Sequence, residues 1–224
     1  MKLFGIPVSL HWTYWIMIAF TMSGGILTLD YVKMITDAAM LFALTLLVIG
    51  HELSHALMAR KFGYQTLGIT MHLLGGIAMI NMNRIKPREE FWIALAGPAF
   101  NLALGIPALV LFILNPGHWL VIPCEPESIM TWAGVGVLYF TVANLVMGLF
   151  NLIPAYPMDG GRIIRSLLSH LNRVTVLNIS NGLSLFFAAV FIVFGLATGN
   201  PMIMFLGGVL IFLVWAERKK MILI

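Results

Sequence analysis

The chain has 224 residues, 60% of them hydrophobic and 10% charged, with a mean hydropathy of +0.97. A soluble domain carries about 25% charged residues, so the composition excludes an ordinary soluble globule and points to an all-α polytopic membrane protein. The net charge of +4 is small and, by position, one-sided; it signals membrane topology and no nucleic-acid partner.

Six apolar segments follow in chain order, at about 10–28, 35–60, 90–114, 130–154, 180–198 and 201–217, each close to bilayer length. The first lacks a small-residue cleavage site after a short apolar core, so it reads as a retained span. Between the second and third lies "YQTLGITMHLLGGIAMINMN". It is apolar, broken by Gly68, Gly75 and Gly76, and carries short β-like runs, which predicts a hairpin or re-entrant segment. After the fourth span, "PAYPMDGGRIIRSLLSHLNR" opens as a Pro/Gly turn and continues as a short amphipathic helix over 163–171. The turn "TGNP" joins the last two spans, with Pro201 starting the sixth helix. The single cysteine, Cys124, excludes an internal disulfide.

On six spans the basic residues sort cleanly. Lys2, Arg60, Lys61, Arg84, Lys86, Arg88, Arg162, Arg165, Arg173, Arg218, Lys219 and Lys220 fall on one face, and only Lys33 falls on the other. The excess places both termini in the cytoplasm. An odd number of spans would scatter these loops across both faces.

The second span contains "HELSH", residues 51–55. Residues four apart share a helix face, so His51 and His55 can both offer ring nitrogens to one metal. Glu52 sits beside them, suited to take a proton from water rather than to ligate. A chance match in a chain of this composition is roughly 0.4%. The plain alternative is a polar helix interface satisfied by neighbouring spans. Two imidazoles and a carboxylate inside an apolar helix are costly, however, and by default mark function. Zinc needs a third protein ligand. No glutamate lies about twenty residues on, and positions 58 and 61 are Met58 and Lys61 rather than the Gly and His of a metzincin. Asp159, at the cytoplasmic end of the fourth span, is the remaining hard ligand on the same membrane face; taken alone it would read as a turn or N-cap residue.

"HELSH", "AGPAFN" and "NLIPAYPMDGGR" together resemble the site-2 protease family of intramembrane zinc metalloproteases, and the resemblance covers nearly the whole chain. It implies Zn2+ held by His51, His55 and Asp159, with Glu52 as general base. It implies a role for Asn151 near the scissile carbonyl; by itself an amide at a span end reads as interfacial or helix-pairing. It implies that "LLGGIAMI" is a membrane-embedded β segment able to hold substrate as an added strand, with Leu74, Gly75, Gly76 and Ile77 at its centre; the plain reading is a tight turn. His11, His72, His118 and His170 have no motif around them and read as packing or interfacial residues. The implied partners are the lipid bilayer and a transmembrane protein substrate, such as a membrane-bound transcription factor or anti-sigma factor. No inserted PDZ-like domain and no pair of CBS domains is read in the chain, so one protease domain over 1–224 is expected. The competing class is a membrane metal transporter, or a zinc-stabilised scaffold without hydrolysis. A transporter would carry ligands along a path through several spans, whereas the outer halves of these spans hold few ionisable groups.

Overall fold

The computed structural model describes residues 1–73, 75–81, 85–114 and 129–222. In chain order the elements are β1 (Lys2–Leu3), β2 (Ile6–Leu10), α1 (Trp12–Thr28), α2 (Tyr31–Lys61), β3 (Thr66–His72), β4 (Gly75–Ile80), α3 (Pro87–Leu114), α4 (Ile129–Asn151), α5 (Asp159–Leu167), α6 (Arg173–Thr198) and α7 (Pro201–Ile222). The chain is mostly helical, with one small sheet. Among the described residues four helices are long and apolar enough to cross a bilayer, Tyr31–Lys61, Pro87–Leu114, Gly134–Asn151 and Arg173–Thr198. At 31 residues, α2 is about 46 Å long, more than a ~30 Å hydrocarbon core requires. The 17 residues of α1 and the apolar stretch Ile203–Ala216 of α7 are shorter. Phe20 is 80% and Leu27 83% exposed; side chains of this kind belong against lipid. This is a membrane protein.

The chain forms two compact units, Met1–Asn83 with Ala96–Leu149, and Arg84–Leu95 with Phe150–Ile224. In the first, the strands run in the order β1-β2-β3-β4. β1 and β2 are antiparallel, β2 and β3 parallel with Val8 opposite Ile69, and β3 and β4 antiparallel with Ile69 opposite Ala78. The hairpin expected around "LLGGIAMI" is therefore β3–β4, with Leu74 outside the described residues. The N-terminal strands were not expected. Their turn rests on Phe4 and Gly5, both at positive φ (49° and 83°), the pattern of a tight two-residue hairpin. One cluster of Ile6, Tyr14, Ile49, Ala56, Ile69 and Met71 ties the sheet to α1 and α2. Tyr14 and Thr45 hydroxyls bond between those two helices, and the Tyr139 hydroxyl of α4 donates to the Met40 carbonyl of α2 at 3.0 Å.

In the second unit α6 and α7 pair as a hairpin, and Ala155, Met158, Ala188 and Leu210 form its core with Phe150 and Phe191 packed on them. The short amphipathic helix begins at Asp159, four residues earlier than the sequence suggested. Gly160 and Gly161 lie inside it, where they admit the preceding loop. A Cβ at Gly160 would stand 2.3 Å from the carbonyl oxygens of Leu152 and Ile153.

Two helical corners are built alike. A left-handed residue closes the first helix of each, Leu29 at φ 53° after α1 and Gly199 at φ 65° after α6. The next N–H, of Asp30 or Asn200, donates to the carbonyl of Gly25 or Gly195 at 3.0 and 2.9 Å. That fold-back brings the second helix onto the glycine: a Cβ at Gly195 would lie 2.7 Å from the Met204 backbone nitrogen. Gly195→Ala should therefore overpack the corner, at a cost of about 1–3 kcal/mol. Gly182→Ala, where a Cβ meets open space on the same helix, supplies the control for helix propensity. Thermal unfolding in detergent should show the first variant several degrees below the second; equal midpoints would refute the close approach.

Candidate metal centre

Both histidines of "HELSH" lie in α2 and are 4% exposed. Their Nε2 atoms are 3.2 Å apart, and the rings stand edge to face at 85°. One nitrogen of each ring thus converges on a common point, the donor arrangement of a zinc-type ion. The wall opposite them has been cleared. A Cβ at Gly97 of α3 would lie 2.3 Å from His55 Nε2 and 2.7 Å from His51 Nε2, so any side chain there occupies the space of both donor atoms. The residues of the first unit therefore fit a metal: two buried imidazoles, aimed together, with the backbone of Gly97 close against them.

The other ring nitrogen of His51 is engaged. Its Nδ1 lies 2.6 Å from Asn101 Oδ1, and Asn101 Nδ2 donates to Asn144 Oδ1 at 3.1 Å. Both asparagines are fully buried. A hydrogen bond of this kind orients a ligating imidazole. Glu52 turns toward the sheet, where its Oε2 accepts the Ala78 N–H at 2.9 Å. That bond fixes the polarity of β4. Successive N–H groups of a strand point to opposite edges. With Ala78 N–H turned to Glu52, those of Gly76 and Ile80 face the same way, and those of Ile77 and Met79 face β3. Asn81 N–H, one residue on, donates back to Gln65 at 2.9 Å, in phase with this reading. Gly75 is at φ 127°, a conformation glycine alone adopts readily, and Ile77 is exposed.

Asp159 belongs to the second unit. It is 8% exposed and opens α5, with Met158 rather than Asp159 as the N-cap. Arg162, one turn on, reaches Asp159 Oδ1 at 3.6 Å and Glu90 Oε1 at 3.7 Å. The loop before it is clamped to α6. Tyr156 N–H donates to Ser184 Oγ at 2.8 Å, and Arg165 Nε donates to Ser180 Oγ at 2.9 Å. The Arg165 guanidinium lies over the Tyr156 ring, 4.9 Å from its centre. Asn151 is the last residue of α4 and is partly buried. Of the remaining histidines, His11 and His72 lie 4.5 Å apart, ring to ring, and His170 is exposed with Nδ1 3.2 Å from the Leu167 carbonyl. His118 lies outside the described residues.

The structure thus brings together His51, His55 and Glu52 with β4. Sequence reasoning missed Gly97, Asn101, Asn144 and Ala78 as members of this group. The available signal was an amide inside each of two apolar spans, since buried polar groups in a membrane need a protein partner.

Comparison with known proteins gives the family. The sequence model of Peptidase family M50 matches residues 39–133 and 127–195. A zinc metalloprotease of Methanocaldococcus jannaschii is 34% identical over 172 residues, covering 75% of this chain and 44% of that protein. Rip3 of Mycobacterium tuberculosis is 32% identical over 177 residues, covering 75% and 42%. The chain thus spans less than half the length of these relatives. The solved site-2 protease from Methanocaldococcus jannaschii superposes with a TM-score of 0.64 at 29% identity, covering 95% of this chain and 90% of that one. With the family match running through the helix that pairs His51 and His55, the chain belongs to peptidase family M50, the site-2 protease family.

Proposed function

We propose that this protein is an intramembrane zinc endopeptidase that cuts peptide bonds in or near the transmembrane segments of other membrane proteins. The observation that carries the reading is the convergence of His51 and His55 Nε2 inside an apolar helix, with Glu52 adjacent and held by a strand edge. His51 and His55 would hold zinc with Asp159, the buried carboxylate that opens α5. When bound, zinc supplies Lewis acidity, making water easier to deprotonate and a carbonyl easier to attack. The chain supplies the rest. Glu52 takes a proton as water oxygen adds to the peptide carbon, then passes it to the nitrogen as the C–N bond breaks. The Ala78 amide restrains the Glu52 carboxylate for that transfer. Asn151 is assigned to the developing oxyanion by family resemblance.

Substrate would be held as an added strand on the outer edge of β4. A transmembrane helix hides its carbonyls in i→i−4 bonds, so the segment must unwind, and a strand edge re-satisfies it. Six spans, with α1 and α7 as first and last, place both termini and Lys86 in the cytoplasm by the charge rule. His51 then lies nine residues before Arg60, ~14 Å of helix, a depth that a polar channel from the cytoplasmic face can reach.

Two measurements test the reading. Glu52→Gln should keep its metal and lose at least 100-fold in cleavage of a transmembrane-helix reporter, while Asp159→Ala should lose metal on dialysis. Undiminished cleavage by the first variant, or full zinc retention by the second, would reassign that residue. For the strand edge, Ile80→Pro removes an outward N–H and spares the bonds to β3. It should lose cleavage more than 10-fold with zinc content unchanged, while Ile80→Ala stays near wild type. Wild-type cleavage by the proline variant would mean that substrate is held elsewhere.

A further inference from the structure

The hydrogen-bond chain behind His51 has one end whose polarity cannot change. Asn144 Nδ2 donates to the Phe140 carbonyl at 2.8 Å, one turn back along α4. A main-chain carbonyl only accepts, so Asn144 must turn its NH2 toward it and its Oδ1 toward Asn101. An amide oxygen also only accepts, so Asn101 presents its NH2 to Asn144, at 3.1 Å. That leaves Asn101 Oδ1 facing His51 Nδ1 at 2.6 Å. The imidazole must donate there. In the neutral ring the proton then sits on Nδ1, and Nε2, on the side of His55, keeps its lone pair. The opposite tautomer would set two lone pairs against each other at 2.6 Å. Rotating Asn101 to relieve this would oppose its oxygen to that of Asn144, and rotating Asn144 would oppose its oxygen to the Phe140 carbonyl. Both asparagines are fully buried, so water does not stand in cheaply for a missing partner.

We propose that Asn144, acting through Asn101, is a positioning residue that fixes His51 as the Nδ1–H tautomer, so that Nε2 is ready as a metal donor before any metal arrives. The inference deepens the metal-site reading above and rests on His51 being a ligand. It assigns a role to a residue of α4 that lies 93 positions from that histidine in sequence. The chain of donors carries the information: an ordinary i→i−4 carbonyl at one end dictates which nitrogen of the neutral ring carries the proton at the other.

The tautomer is read in the metal-free full chain by nitrogen-15 NMR of labelled histidines in micelles, with His51 assigned by its loss in His51→Gln. The expected result is one population protonated on Nδ1. In Asn144→Leu the population should shift toward Nε2–H or become mixed, and zinc affinity, measured by competition with a chelator, should fall 10–100-fold. Asn144→Asp, as a neutral carboxylic acid at this buried site, can donate to the Phe140 carbonyl and keep an acceptor for Asn101, so it should retain the tautomer and lose less affinity. This separates relay polarity from packing. A wild-type His51 protonated on Nε2 would overturn the proposal without any variant. So would an Asn144→Leu chain with unchanged tautomer and affinity, and in that case the protease reading would stand. A wild-type chain that binds no zinc would instead overturn the metal reading, and with it the purpose given to the relay.

Discussion

Two imidazoles and a carboxylate on one turn of an apolar helix cannot be left to lipid. Each polar group there needs a protein partner, at a cost of about 1–3 kcal/mol when one is missing inside a protein and more in hydrocarbon. Much of the first unit can be understood as an answer to that constraint. Asn101, held in turn by Asn144, meets the far side of His51. The β3–β4 hairpin brings a backbone N–H to Glu52. Gly97 withdraws its side chain so that the two Nε2 atoms can face one point. The sheet gains from the same arrangement. Because β2 covers β3 on its other side, the edge that abuts α2 is β4, and one amide of that edge already engages the proposed base.

The second unit solves a different problem, which is how to hold a carboxylate firmly on a Pro- and Gly-rich loop. Such loops are flexible unless something binds their backbone. Here α6 does so. Ser184 accepts the Tyr156 N–H, Ser180 accepts from Arg165, and Arg165 covers the Tyr156 ring. Gly160 and Gly161 let α5 press against the loop that precedes it. A polar stripe on α6 that looks like a fault in a membrane span is therefore a clamp on the segment that ends in Asp159.

The parts of this arrangement visible in the sequence were those encoded locally. Long apolar runs gave the major helices, and the H-E-x-x-H spacing gave the paired imidazoles, because both signals repeat within one or two helical turns. The glycine breaks in "LLGGIAMI" gave the hairpin. What stayed hidden depends on distant pairing. β2 is five residues long and finds its partner β3 some sixty positions away, so no local pattern announces it. Asn101 and Asn144 lie 43 positions apart with no local pattern linking them, and only the fold shows that they form a series ending at His51. "DGGR" read as a turn because two glycines usually break a helix; at this position close backbone approach outweighs propensity, and α5 starts at Asp159.

The proposed zinc site, two imidazoles and a carboxylate without sulfur, is open to direct measurement. X-ray absorption at the zinc edge of the purified, zinc-loaded chain tests it most directly. One zinc per chain is expected, with two imidazole nitrogens and otherwise oxygen in the inner shell, and one imidazole fewer in His55→Ala. A sulfur scatterer, a third imidazole, or a spectrum unchanged by that substitution would contradict it.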